Sequence, residues 1–334
     1  MEFKNQTLLQ KGRSKLLPFL FLLFAFLGAN RLQAQDPFET STNATDSVAQ
    51  VLDSLYIVEV QDSKQKDKVL HAEPLYIDLI RDLGARKGER EWNIGGGITD
   101  LQHYDKYSFL VEYEFAPIDR LGLEIEVPLT FYFNSYNQNG QDLNAPSRPA
   151  NRIEGLKLAA QWSFWVSEKN KTTLALGYIN ELELYDLPKL SLQRNFQGNL
   201  FNPFLVAAKR WGTNFHTLLY TGGRFVRHFK PDSEGKIWNT AFENNLSLHY
   251  MISGTRNFIG LEINQLRQNK GWHTVLRPQM RVSLADNLMI GIVGGIPLNR
   301  QQERLSSFVR IIYEPSHRHV THLSAARMKR QTAH

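Results

Sequence analysis

The sequence predicts an all-β chain that closes into an antiparallel transmembrane β-barrel of about twelve strands, with a short periplasmic N-terminal helix. Three observations carry this expectation. Apolar and polar side chains alternate over segments of roughly ten residues, which gives strands with two different faces. Every second connection between those segments is tight, as in barrels with short periplasmic turns and longer outer loops. An export signal precedes them.

That signal occupies residues 1–34. Lys4, Lys11, Arg13 and Lys15 stand before the apolar run Leu16 to Ala29, and Leu32, Gln33 and Ala34 offer a cleavage site. The run is shorter than the roughly 20 residues of a spanning helix, and no other run of 18 apolar residues follows it. There is no Cys, so neither a lipoprotein anchor nor a disulfide framework is available. The formal charge of +6 sits at the two ends: residues 1–34 and 315–334 each carry +4, which leaves −2 for residues 35–314. A body with that balance is not a nucleic-acid-binding surface.

Residues 35–70 are rich in Ser, Thr, Asp, Gln and Lys and read as a flexible polar periplasmic linker. Within it only Val48 to Val60 has the apolar character for a short helix. Residues 71–90 read as an amphipathic helix and a charged connection. Pro74 stands at a first helical position, Leu75, Leu79, Ile80 and Leu83 recur at helical spacing, and Gly84 marks a stop. At about three turns such a helix is marginal alone, so it needs the periplasmic end of the barrel or a partner protein to lie on.

The barrel is expected over residues 91–314, with strands near 91–98, 107–116, 120–133, 152–166, 172–183, 200–210, 214–227, 237–251, 257–266, 273–284, 288–297 and 304–314. The clearest alternation places Leu121, Leu123, Ile125, Val127, Leu129 and Phe131 on one face and Gly122, Glu124, Glu126, Pro128 and Thr130 on the other. Tight connections at APIDR, SEKNK, WGTN, SGTR and ADN alternate with longer polar ones, notably Asn134 to Asn151 and Tyr185 to Asn199. Aromatic residues gather at strand ends, among them Phe131, Tyr132, Phe133, Trp162, Phe164, Trp165, Trp211, Trp238, Tyr250 and Trp272, as interface girdles do. The basic, His-containing tail 315–334 is expected to be disordered.

With apolar faces toward lipid, the opposite parity lines the lumen with Glu112, Glu114, Glu124, Glu126, Glu243, Glu262, Lys157, Arg277, Arg281 and Arg310. The acids concentrate on the second and third strands and the bases on the tenth and twelfth. A twelve-stranded wall is roughly 24 Å across at the backbone, so side chains leave a narrow pore or none. Two readings stand together: a channel whose acidic and basic strips set a field across a constriction, and a lumen filled by salt bridges, because a charge against a low-dielectric wall needs a partner.

Catalytic, cofactor and metal chemistry find little support. Ser247 and His249 share the inward face of one strand, which is the most a barrel hydrolase could claim here. Gly95, Gly96 and Gly97 lack the Lys-Ser or Lys-Thr pair of a phosphate-binding loop and suit a curved strand. His71 with Glu73, and His317, His319 and His322, lack the defined geometry of a metal site.

The string HAEPLYID from His71 to Asp78, with the DLGARKGE and EWNIGGG continuation, resembles the HAEPLYID family, exported outer-membrane proteins of Bacteroidota. The resemblance covers residues from about 71 to Pro315 and implies an outer-membrane β-barrel, without functional residues to carry over. The expected function is passive permeation of small polar solutes. The alternatives are a non-conducting structural or partner-binding barrel, with the partner held through residues 71–90, and, less favoured, a barrel hydrolase. Outer-membrane lipid is the expected surrounding, and the sequence does not fix an oligomeric state.

Overall fold

The computed structural model describes residues 44–61, 64–77, 79–101, 103–134, 149–184, 196–230, 235, 237–268, 271–300 and 303–315. The expected signal peptide, the start of the linker, the centres of both long loops and the basic tail lie outside the described residues.

One helix, α1 (Ala44–Val60), precedes the strands β1 (Arg90–Asp100), β2 (Tyr104–Ile118), β3 (Leu121–Asn134), β4 (Arg152–Ile153), β5 (Gly155–Ser167), β6 (Thr172–Leu184), β7 (Phe196–Trp211), β8 (Phe215–His228), β9 (Trp238–Met251), β10 (Phe258–Gln268), β11 (Gly271–Ala285), β12 (Leu288–Pro297) and β13 (Ser306–Tyr313). Both β4 and β5 pair with β3 and are separated only by Glu154, so the thirteen segments make twelve staves. Each stave pairs antiparallel with its sequence neighbour, and β1 pairs with both β2 and β13, which closes the wall.

The tight turns Asp119–Arg120, 168–171, 212–214, 252–257 and 286–287 all lie at the end where β1 begins and β13 stops. At the opposite end the strand separations vary more than expected, because three residues separate β1 from β2 and two separate β10 from β11.

The alternation is inverted relative to a water-soluble protein. Trp92, Ile94, Phe109, Val111, Ile125 and Val127 are exposed, whereas Glu91, Asn93, Glu112, Glu114, Glu124 and Glu126 on the same strands are buried. Carboxylates turned inward and branched aliphatics turned outward match a lipid exterior around a closed wall. Aromatic contacts mark the two rims: Trp92 with Tyr113 at 4.6 Å toward the tight-turn end, and Tyr107 with Phe133 at 5.1 Å toward the other. Gly95, Gly96 and Gly97 lie in the body of β1.

The helix at the N-terminal side is not where the spacing of residues 74–84 places it. The described residues from 71 to 89 form no helix, and the helical segment is Ala44–Val60, in the stretch expected to be linker. On α1, Asp53 accepts a hydrogen bond from the Gly254 backbone at 2.7 Å and a second from Asn214 Nδ2 at 3.3 Å, which fastens the helix to two tight turns.

Candidate functional site

The chain between Lys68 and Ala85 is almost wholly buried: Val69, Ala72, Leu75, Leu79, Ile80, Leu83 and Ala85 are each at most 2 % exposed. Its partners come from all round the wall. His71 Nε2 meets Thr173 Oγ1 of β6 at 3.0 Å, and the Ala72 N–H donates to His216 Nδ1 of β8 at 3.0 Å. Leu75 N–H donates to Glu262 of β10 at 3.0 Å and to Gln279 of β11 at 2.9 Å. The Tyr76 ring meets Phe308 of β13 edge-on at 5.9 Å. On the way out, Arg81 N–H donates to Glu114 of β2 at 2.6 Å, Arg81 ion-pairs with Glu91 of β1, and Gly84 N–H donates to Ser163 Oγ of β5 at 2.8 Å. A segment this short that meets staves on every side of a closed wall lies inside it. It is a plug.

The plug enters and leaves at the tight-turn end. Ala85 O accepts from the Arg120 backbone in the β2–β3 turn, and His71 and Ala72 face the first residues of β6 and β8. Its tip lies at Leu75–Ile77. There Glu262, four residues into β10 and so about 13 Å along the strand, accepts from the backbone of Leu75, Tyr76 and Ile77 at 3.0, 3.0 and 3.3 Å. These acceptors explain why no helix forms. The backbone N–H groups find lumen side chains, and the apolar side chains split between two wall patches. Leu79, Ile80 and Leu83 pack with Ala159, Ala175, Phe204, Val206 and Leu218. Ala72 and Leu75 pack with Met251, Phe258, Met289, Phe308 and Ile312. Of the two surfaces expected for these apolar side chains, the barrel or a partner, the chain's own wall covers them.

Two wall glycines make room for this path. A Cβ on Gly122 of β3 would overlap the Ile80 carbonyl oxygen, and one on Gly291 of β12 would fall 2.5 Å from Leu75 Cδ2.

Near the tight-turn end the plug brings its own cations. Arg81, 3 % exposed, lies among Glu91, Asp82 at 3.0 Å, Glu314 at 3.5 Å and Glu114 at 3.9 Å. Lys68 Nζ bridges Asp82 and Glu89, each at 2.8 Å. Burial pushes the Asp82 carboxyl up, but Arg81 and Lys68 outweigh it and hold the group well below the usual carboxylate range.

The residues expected to line the lumen stand as follows. Glu112, Glu114, Glu124, Glu126, Glu243, Glu262, Arg277 and Arg310 are buried, and Lys157 and Arg281 are half-buried. Their pairing runs sideways along the wall. Glu112 meets Arg310 at 3.4 Å across β1, and Lys157 meets Glu124 at 2.9 Å and also Glu126 from the neighbouring stave. Glu243 is held by Tyr220 OH at 3.0 Å and by Asn202. Arg277 lies 3.4 Å from the Tyr76 ring centroid and donates to Ser306 at 3.1 Å, while Arg281 sits over the Phe258 ring at 4.8 Å. His249 contacts Gln279 at 2.7 Å and the Phe258 ring at 4.7 Å, so its hydrogen bond goes to Gln279 and not to Ser247. Sequence reasoning missed as plug holders His216, Gln279, Ser163 and Gln161, whose amide donates to the Arg81 carbonyl at 3.1 Å. Their inward parity was readable, but the chain they hold was not.

A family model described as HAEPLYID-like matches residues 67–314. The chain belongs to the HAEPLYID-like family. In this HAEPLYID-like protein the stretch that carries the family's string is the plug, and the match extends through the last stave. No curated sequence matches it. Among solved structures it is similar to an outer membrane channel from Pseudomonas putida F1, with a TM-score of 0.56 and 11% identity over 70% of this chain and 98% of that one. It also matches the NanC porin, at a TM-score of 0.46 and 9% identity over 67% of this chain and 98% of that one, and the KdgM porin, at 0.43 and 12% over the same shares. At such identities the likeness to the channel is one of fold: a porin-like outer-membrane barrel.

Proposed function

We propose that the protein is an outer-membrane channel for small polar solutes, exported by its N-terminal signal and held shut from the tight-turn side by its own residues 68–85. One observation carries this reading: residues 68–85 are held inside the wall by side chains of several staves yet cross no stave pairing, so they can leave without breaking the wall. Polar inward groups beyond the tip, among them Asn202, Tyr220, Glu243, Asn245 and Asn264, favour hydrated solutes over apolar ones.

A second reading has a specific observation behind it. The plug covers two apolar wall patches, which water would meet if it left. That cost favours a permanently filled, non-conducting barrel. Planar-bilayer recordings separate the two. A protein beginning at Arg86 should give frequent discrete conductance steps, and the full-length protein rare ones. Silence from the shortened protein at every voltage, with heat-modifiable mobility proving a folded barrel, would retire the channel reading.

A further inference from the structure

Three buried imidazoles lie in or against the plug: His216 accepts from its backbone directly, and His249 acts on it through Gln279. The Ala72 N–H points at His216 Nδ1, 3.0 Å away, so that nitrogen carries no proton. The second acts through a relay. Leu75 N–H is shared between Glu262 Oε1 at 3.0 Å and Gln279 Oε1 at 2.9 Å, and the second contact orients the amide with its NH₂ toward His249 Nε2 at 2.7 Å. That imidazole nitrogen must therefore accept as well. The third ring, His71, belongs to the plug and bonds to Thr173.

An imidazolium has two donors and no acceptor. Protonating His216 would set an N–H against the Ala72 N–H. Protonating His249 would force Gln279 to turn and present its NH₂ to Leu75. We propose that this pair of acceptor imidazoles is an acid-sensitive latch: protons convert His216 and His249 from acceptors into donors and release the plug at Ala72 and Leu75.

The surroundings reinforce the latch. His216 faces His71 of the plug, Arg210 of β7, His249 of β9 and Arg281 of β11, and His249 also faces Arg281. His71 faces Arg210 and, within the plug, Asp82. Among the described residues no carboxylate bonds to any of the three rings, so nothing beside them shares an added proton. Burial first, and Arg210 second, hold His71 down to about 3 from its ordinary 6.5, against the pull of Asp82. The sign follows: a seated ring that resists protonation favours the seated plug above about pH 6.5, and that preference is lost as the pH falls below it.

The latch rests on the plugged-channel reading, so its test has two readouts. The first is open probability in planar bilayers at pH 7.5 and pH 5. The second is the mobility of a nitroxide on the Tyr76→Cys variant, a single label because the chain has no other cysteine. The expected result is at least a tenfold rise in open probability and a mobile label at pH 5. The variant His216→Asn, His249→Gln keeps an amide oxygen where each accepting nitrogen stood and cannot titrate. It should stay shut, with its label immobile, at both pH values. A mobile label without conductance keeps the latch and removes the channel reading. A label that stays immobile from pH 7.5 to pH 5 in the parent barrel overturns the latch, and so does a double variant that releases as readily as the parent. If the double variant fails to assemble, the parent label alone decides.

Discussion

The carboxylate of Glu262 lies 3.0 Å from the backbone nitrogen of Tyr76 and is completely buried there. Its two oxygens also take the N–H groups of Leu75 and Ile77, so one side chain of β10 caps the turn at which the plug reverses. Glu262→Ala leaves these donors facing an empty space. Each unpaired buried donor costs about 1–3 kcal/mol, and with Gln279 still serving Leu75 the seating of the tip should weaken by about 3 kcal/mol in all. Open probability in bilayers should rise by about two orders of magnitude, while heat-modifiable mobility shows an assembled wall. Glu243→Ala removes an inward acid that meets Asn202 and Tyr220 instead of the plug, and should leave opening unchanged.

Gly122 gives a steric test of the same seating. Because a Cβ there would overlap the Ile80 carbonyl oxygen, Gly122→Val cannot coexist with the plug in place. Overpacking of this kind costs about 1–3 kcal/mol. Trypsin should cleave after Arg81 in the folded variant and spare that bond in the parent, since Arg81 is buried in the seated state. Equal resistance in both proteins would mean that the plug does not depend on that contact.

The wall was legible in the sequence because a period of two is local. Leu121 to Phe131 against Gly122 to Thr130 shows its two faces without any knowledge of partners, and Glu112, Glu124 and Glu126 follow from the same parity. The site was half legible. Glu262 could be assigned to the inward face, but what it binds lies 185 to 187 residues earlier in the chain. Leu75, Leu79, Ile80 and Leu83 do recur at helical spacing, and a helix of that length is marginal until something decides its backbone hydrogen bonds. Here Glu262, Gln279 and His216 decide them, and none stands near in sequence. The short helix that the sequence allows over Val48 to Val60 does form, as α1, but Val48, Val51 and Val58 stay exposed and its placement depends on Asp53 reaching Gly254.

That contact separates what the N-terminal segment needs from what the barrel needs. Asp53→Ala removes two hydrogen bonds of a buried carboxylate, each contributing about 1 kcal/mol, and should free α1 without affecting wall assembly. Deleting residues 36–66, which stops short of the buried Lys68 and Val69, should likewise leave a heat-modifiable barrel. Deleting Glu91 to Ile98 removes the stave that joins β2 to β13 and should abolish it. Equal assembly of both deletions would mean that β1 does not close the wall.

The last relationship lies in the wall at the level of Leu75. Arg310 on β13 and Glu112 on β2 meet at 3.4 Å across β1, and both are buried, at 2 % and 1 % exposure. Asn93 on the intervening stave supports the pair by donating to Glu112 at 2.8 Å. Arg310→Met leaves Glu112 with that neutral donor and with Lys157, a cation already bonded to Glu124 and Glu126. Removing one member of a buried pair typically costs about 3–5 kcal/mol, because the remaining charge is uncompensated. The single variant should lose its heat-modifiable fold at a markedly lower temperature than the parent. Arg310→Met with Glu112→Gln removes both charges while retaining an acceptor for Asn93, and should recover most of the loss. If the double variant melts no higher than Arg310→Met alone, the cost is one of packing around the Arg310 side chain, and the pair does not stabilise the wall by charge.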